Sequence, residues 1–152
     1  MEITTIPHRI LAKKTQIVAA EAIKSGEYTD LILNMRQAMK EHVGVGLAAN
    51  QVGKDLALFV IDAAIAQQNG VPDVYFNPEI TEYSSEIDYL EEGCLSIPGF
   101  YTEIKRSRKI MFKALDDKGK KLKFKAKGFL ARVLQHETDH LNGVVIKDRA
   151  KQ

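Results

Sequence analysis

His136, Glu137 and His140 stand in the run Gln135-His136-Glu137-Thr138-Asp139-His140, an HExxH pattern. Residues four apart lie one above the other on a helix, so both imidazoles can reach a single metal ion. Glu137, next to the first histidine, then stands where it can exchange protons with a metal-bound water. That combination argues for hydrolysis. On a helix that is otherwise apolar, so many polar groups would carry a large desolvation cost unless they were paired, and coordination satisfies both rings.

Two histidines leave a tetrahedral catalytic site one protein ligand short, because such sites hold three and keep the fourth position for water. Cys94, the only cysteine, is the first candidate. A thiolate is a strong, soft ligand favoured by the metal's own charge, and Gly93 gives the chain freedom to aim it. A carboxylate from Glu91, Glu92 or Asp139 is the alternative, as in a zinc endopeptidase. Asp139 is better placed to orient a ring or to pair with Arg106. Two further readings of Cys94 are an inert buried thiol and a nucleophile with a histidine base.

These residues need a scaffold that brings distant segments together. Ser25 to Val43 reads as a helix with Leu31, Met35 and Met39 on one stripe, the methionines serving as core. Strands are expected at Leu56 to Ile61, Val74 to Phe76, Ile87 to Leu90, Ile110 to Leu115 and Leu122 to Ala126. The last two flank a hairpin turn at Asp116-Asp117-Lys118-Gly119-Lys120. Gly128 to Leu141 reads as the buried ligand helix, followed by a short strand at Val144 to Ile146 and a polar end from Lys147 to Gln152. The expected fold class is α+β, with antiparallel and mixed β-sheets around the central helix that carries HExxH, in one domain spanning residues 1–152.

Composition agrees with an ordinary globular protein: 45% hydrophobic and 28% charged residues, with 4 prolines and 10 glycines in 152 residues. One cysteine excludes an internal disulfide and suits a reducing compartment. The N-terminus has no basic segment leading into an apolar run, and no apolar stretch approaches the roughly 20 residues of a membrane span. A cytoplasmic protein without a membrane partner is expected. The net charge of +2 does not by itself imply nucleic acid, and DNA is not an expected partner. Lysines and arginines do cluster between Lys105 and Lys127. They read either as a solvated strand face or as a patch facing an RNA-rich partner.

Three blocks, Gly44-Val45-Gly46-Leu47-Ala48-Ala49-Asn50-Gln51, Glu92-Gly93-Cys94-Leu95-Ser96 and Gln135-His136-Glu137-Thr138-Asp139-His140-Leu141, resemble the signature motifs of the peptide deformylases, in that family's order. The resemblance runs from about Pro7 to about Arg149. It implies Cys94, His136 and His140 as metal ligands and Glu137 as the residue that activates water and passes a proton to the leaving amine. It also implies Gln51 and the backbone N–H of Leu95 as donors to the formyl oxygen, where charge develops. The implied reaction removes the N-formyl group from the initiator methionine of nascent polypeptides and releases formate. Iron(II) is the expected native metal, with zinc or nickel able to occupy the site. Val45, Phe129, Val133 and His136 are expected to line an apolar slot for methionine, with Val45-Gly46 and Gly93 to Leu95 holding the substrate backbone.

The chain also departs from the common pattern. It is similar to shorter members of the family, including phage-encoded ones, that lack a long C-terminal helix. A ribosome contact through such a helix is therefore not expected, although a transient contact by another surface fits the substrate, and the protein is expected to act as a monomer in a bacterial or phage-infected cytoplasm. Gly99-Phe100-Tyr101 predicts a more apolar rim to the site, and Arg132 is expected to point outward or to close the pocket edge. Besides the endopeptidase, a non-enzymatic metal domain that binds RNA through its lysine-rich strands is a competing reading.

Overall fold

Gly26, with φ of 80°, divides the first expected helix. A computed structural model describes residues 1–150. In it a short helix α1 (Ala20–Lys24) precedes the longer α2 (Thr29–Glu41), which buries Ile32, Met35, Ala38 and Met39 on one face. The end of α2 is set by Val43 at φ 56°. The chain then forms β1 (Gly46–Ala48) and a single 3-10 turn (Ala49–Val52) carrying Gln51. β2 (Leu58–Ile61), α3 (Ala63–Gln68) and β3 (Val74–Tyr83) follow. β3 is far longer than its expected Val74 to Phe76, because Asn77-Pro78 is accommodated by a register shift between Phe76 and Glu79 instead of ending the strand.

β4 (Ile87–Cys94) and β5 (Ile97–Ser107) form a separate two-stranded sheet, with Cys94 as the last residue of β4. β5 escapes a periodicity reading because Pro98 and Gly99 interrupt its start. β6 (Lys109–Leu115) and β7 (Lys121–Lys127) complete an antiparallel five-stranded sheet ordered β1-β2-β3-β6-β7. The ligand helix α4 (Gly128–Leu141) has the limits expected of it. The strand expected at Val144 to Ile146 does not form; Ile146–Ala150 is instead a short helix, α5, whose Ile146 is buried with Ile97 and Ile104. Lys151 and Gln152, at the tip of the expected polar end, lie outside the described residues.

The architecture is α+β. One face of the large sheet presents Phe59, Tyr75, Phe112 and Ala126 to Leu130, Ala131, Val133 and Leu134 of α4. The opposite face, over β2 and β3, presents Leu58, Val60, Val74 and Phe76 to the buried stripe of α2. α4 is therefore enclosed, with ten of its fourteen residues buried. Hydrophobic burial on this scale fixes the helix against both sheets and so fixes what its polar residues meet.

Candidate active site

α4 brings His136 and His140 one turn apart, their ring centroids separated by 5.0 Å. β4 arrives from the small sheet and delivers Cys94, whose register shifts at Gly93 as the strand turns towards β5. Ligand atoms of Cys94, His136 and His140 all lie within 4.8 Å of one another, and Sγ of Cys94 is 3.3 Å from Nε2 of His140. One thiol and two imidazoles converging on a point form a divalent-metal site. Glu91, Glu92 and Asp139, the alternative third ligands, are outside this cluster among the described residues.

Glu92 has a different task. Its Oε1 lies 2.8 Å from Nδ1 of His136, and its two oxygens also accept from Nε and one terminal nitrogen of Arg106, each at 3.0 Å. With Nδ1–H donating to the carboxylate, Nε2 of His136 is left to face the ligand cluster. Arg132 donates to the same carboxylate and to the backbone oxygens of Ile104 and Asp88, so it is buried and does not point outward; of its two expected placements it takes the one at the edge of the substrate cavity. A carboxylate shared by two guanidinium groups explains why an arginine can stand on the apolar side of α4. Arg106 continues the chain of charges to Asp139, at 2.6 Å, and Arg149 grips Asp139 with two further bonds.

The electrostatics suit a cation. Burial opposes charge on His136, yet hydrogen bonds with Cys94 and Glu92 and the proximity of Glu137 raise its imidazole to about 10. The environment thus stabilises positive charge at that point, a condition that a divalent ion also meets. Burial, followed by the neighbouring His136, holds His140 well below its ordinary value, as a neutral ligand requires. Burial would also raise Glu92, but His136 and Arg106 hold it well below the usual carboxylate range. Burial raises Glu137 to about 7 against the opposing effect of His136. Its Oε1 and Nδ1 of His140 have no hydrogen-bond partner among the described residues, and Oε2 is 3.9 Å from Nε2 of His136. The donor set fits a metal ion, and the unpartnered Glu137 oxygen fits a reacting group beside it.

A cavity of about 230 Å³ opens onto the ligands. Val45, Gly46, Gly93, Leu95, Phe129, Val133 and His136, all expected to contact substrate, line it together with Gln51 and Glu137. Gln51 is fixed: its Oε1 accepts from the Ala48 N–H at 3.0 Å, and its Nε2 donates to Ser96 Oγ at 3.1 Å and faces Cys94 Sγ at 3.7 Å. Because a backbone N–H can only donate, the amide orientation is unambiguous. Gly46 lets β1 run hard against Glu137, since a Cβ there would lie 2.6 Å from Oε2. Tyr101 lies across Gly93, whereas Phe100 packs beside Ile97 under Lys147. Neither ring lines the cavity.

The sequence suggests Glu92 only as a ligand, leaves the partner of Arg132 unspecified and singles out neither Ser96 nor Asn50 for a role. Glu92 and Cys94 alternate along one strand and so share a face, which was the available signal. Asn50, fully buried, donates to the backbone oxygen of His140 at 2.6 Å and ties the 3-10 turn to the end of the ligand helix. No spacing rule foretells that contact. His8 and His42 are exposed and are not part of the ligand cluster.

Comparison with known proteins adds an independent line. The polypeptide deformylase family matches residues 1–152. The peptide deformylase of Thermodesulfovibrio yellowstonii is 43% identical over 149 residues, covering 98% of this chain and 88% of the relative. That of Dictyoglomus turgidum is 47% identical over 154 aligned positions, covering 99% and 92%. The crystal structure of peptide deformylase from Thermotoga maritima superposes with a TM-score of 0.88 at 38% identity, over 97% of this chain and 95% of that one. The Synechococcus elongatus structure, in complex with actinonin, gives 0.90 at 36% identity over 100% and 79%. All four sources are bacterial, so the expected kinship with phage-encoded members finds no support in them.

Proposed function

The chain belongs to the polypeptide deformylase family and is a metal-dependent hydrolase of N-formyl groups, and we propose that its own residues divide the work as follows from their positions. Cys94, His136 and His140 would hold a divalent ion, which when bound would supply Lewis acidity towards the formyl carbonyl and lower the pKa of water in the site. Iron(II) is the proposed native ion, with zinc or nickel as substitutes, since this ligand set alone does not select among them.

Glu137 takes a proton from the attacking water as its oxygen bonds to the formyl carbon. The same carboxyl then gives the proton to the amine nitrogen as the carbon–nitrogen bond breaks, leaving formate and a free N-terminus. A carboxyl raised to about 7 can do both near neutral pH. Nε2 of Gln51 and the backbone N–H of Leu95 stabilise the negative charge growing on the formyl oxygen. Val45, Phe129 and Val133 receive the methionine side chain, while the main chain of Val45-Gly46 and of Gly93 to Leu95 holds the substrate backbone by strand-like hydrogen bonds. Asp139 and Arg106 act from behind, holding Glu92 and through it His136. N-formylmethionyl peptides are the proposed substrate, met on nascent chains through transient ribosome contact by a cytoplasmic monomer acting as one domain over residues 1–152.

The convergence of Cys94, His136 and His140 beside a buried Glu137 carries this reading. It is tested by formate release from a formyl-Met peptide by metal-loaded protein, against an N-acetyl analogue and the Glu137→Gln variant. Release from the formyl peptide alone, lost in the variant while metal stays bound, is expected. Undiminished release by the variant would overturn the role of Glu137, and cleavage of internal peptide bonds would favour an endopeptidase.

A further inference from the structure

α2 covers the outer face of the large sheet over β1, β2 and the start of β3, but not over the β6–β7 end. There the inward positions, Ile110, Phe112 and Ala114 on β6 with Leu122, Phe124 and Ala126 on β7, join the α4 core. The alternate positions turn six exposed lysines outward: Lys109 and Lys113 on β6, and Lys121, Lys123, Lys125 and Lys127 on β7. Lys109 stands opposite Lys127 and Lys113 opposite Lys123. Like charges directly opposed across strands destabilise a sheet. Among the described residues none of the six has an ion pair.

Protection of an edge strand against aggregation accounts for a lysine or two on β7. It does not account for Lys109 and Lys113, which are on the interior strand β6. On β3 the exposed acids Glu79 and Glu82 stand opposite Lys113 and Met111, so the positive strip is two strands wide and bounded on one side. Along β7 the lysines repeat about every 7 Å. The strip ends at Lys127, two residues before Phe129 of the substrate cavity.

We propose that this unpaired lysine ladder on the outer face of β6 and β7 is a docking surface for the phosphate backbone of RNA. Regularly spaced cations along two paired strands suit a polyanion whose charges recur along a line. A lipid surface would call for apolar side chains that insert among the cations, and the outward face offers only half-buried Met111 and Leu115. The choice of RNA over other phosphate polymers rests on the deformylase reading, because substrates of that activity emerge where RNA is abundant. Contacts to the backbone carry little sequence preference.

The test measures binding of a labelled single-stranded RNA to the metal-loaded chain over a range of salt, beside phosphatidylserine vesicles, for the native protein and a Lys121→Gln/Lys123→Gln/Lys125→Gln variant. Native protein should bind RNA with an affinity that falls by a log–log slope of about −0.7 for each phosphate contacted. The variant should lose about tenfold or more in affinity, with a slope shallower by about 2. Its melting temperature should hold or rise, since the opposed Lys113–Lys123 pair is relieved, and its formate release should be unchanged. No RNA binding at low salt, an unaltered slope in the variant, a marked loss of folding stability in it, or preferential binding to vesicles would each overturn the proposal. Formate release by the same samples separates that failure from a failure of the deformylase reading.

Discussion

Oε1 of Glu92 lies 2.8 Å from Nδ1 of His136, and this contact joins the metal site to a buried charge network. The same carboxylate receives Arg106 and Arg132, both nearly inaccessible to solvent. Glu92 therefore orients a ligand and neutralises two guanidinium groups that would otherwise be buried without a counter-charge.

Glu92→Ala should be costly on both counts. Removing one partner of a buried ionic network destabilises by about 3–5 kcal/mol, and loss of a ligand's orienting partner lowers metal affinity about 10–100-fold. Urea unfolding and competitive zinc titration measure the two effects. In the native protein the Glu92 contribution should be complete above its ordinary value of 4.5 and lost as pH falls through its depressed one, because the folded state favours the ionised form.

Gly46→Ala should lower turnover sharply while leaving metal stoichiometry intact. The new Cβ would lie 2.6 Å from Oε2 and 2.8 Å from Cδ of Glu137, so either β1 or the carboxyl must move. A displacement near 1 Å costs about 100-fold in a positioned reaction. A native kcat with bound metal would show that Glu137 does not need its place against β1.

The pH profile of kcat/KM should have an acid limb set by Glu137. Base action needs the ionised carboxylate, so activity is present above its pKa and lost below it. Burial raises that value to about 7, and a bound cation draws it down, so the midpoint should fall between the ordinary 4.5 and 7. A profile flat down to pH 4.5 would remove Glu137 from the proton transfer.

Cys94→Ser should abolish stoichiometric binding of a soft divalent ion at micromolar concentration, since the hydroxyl is a far poorer ligand than a thiolate. Metal analysis after dialysis reads this directly. Retention of one equivalent would revive a carboxylate third ligand.

The ligand helix was the most legible element in the sequence because its apolar spacing, its two histidines and the Asn142-Gly143 stop all agree. Gln51, Cys94 and the histidines could be singled out by type and motif. Their supports could not. Arg132 looks misplaced until the strand bearing Glu92 is laid beside it, and Asn50 acquires its partner only when the turn after β1 reaches the end of α4. Both are contacts between segments far apart in sequence, about which local periodicity carries no information. β3 was cut short for the opposite reason: Asn77-Pro78 carries a strong local stop signal, which the neighbouring strands override.

Cys94 and the two histidines come from bodies that the backbone does not pair: one from the small β4–β5 sheet, the others from a helix seated on the large sheet. An ion held by all three is a rivet as well as a reagent. Its affinity is spent partly on keeping the two sheets in register, so the melting temperature should climb with free metal concentration by mass action, about 2.7 kcal/mol at a hundredfold excess over Kd. Wear at the rivet, such as oxidation of the Cys94 sulfur, would then loosen the architecture at the same moment as it silences the chemistry.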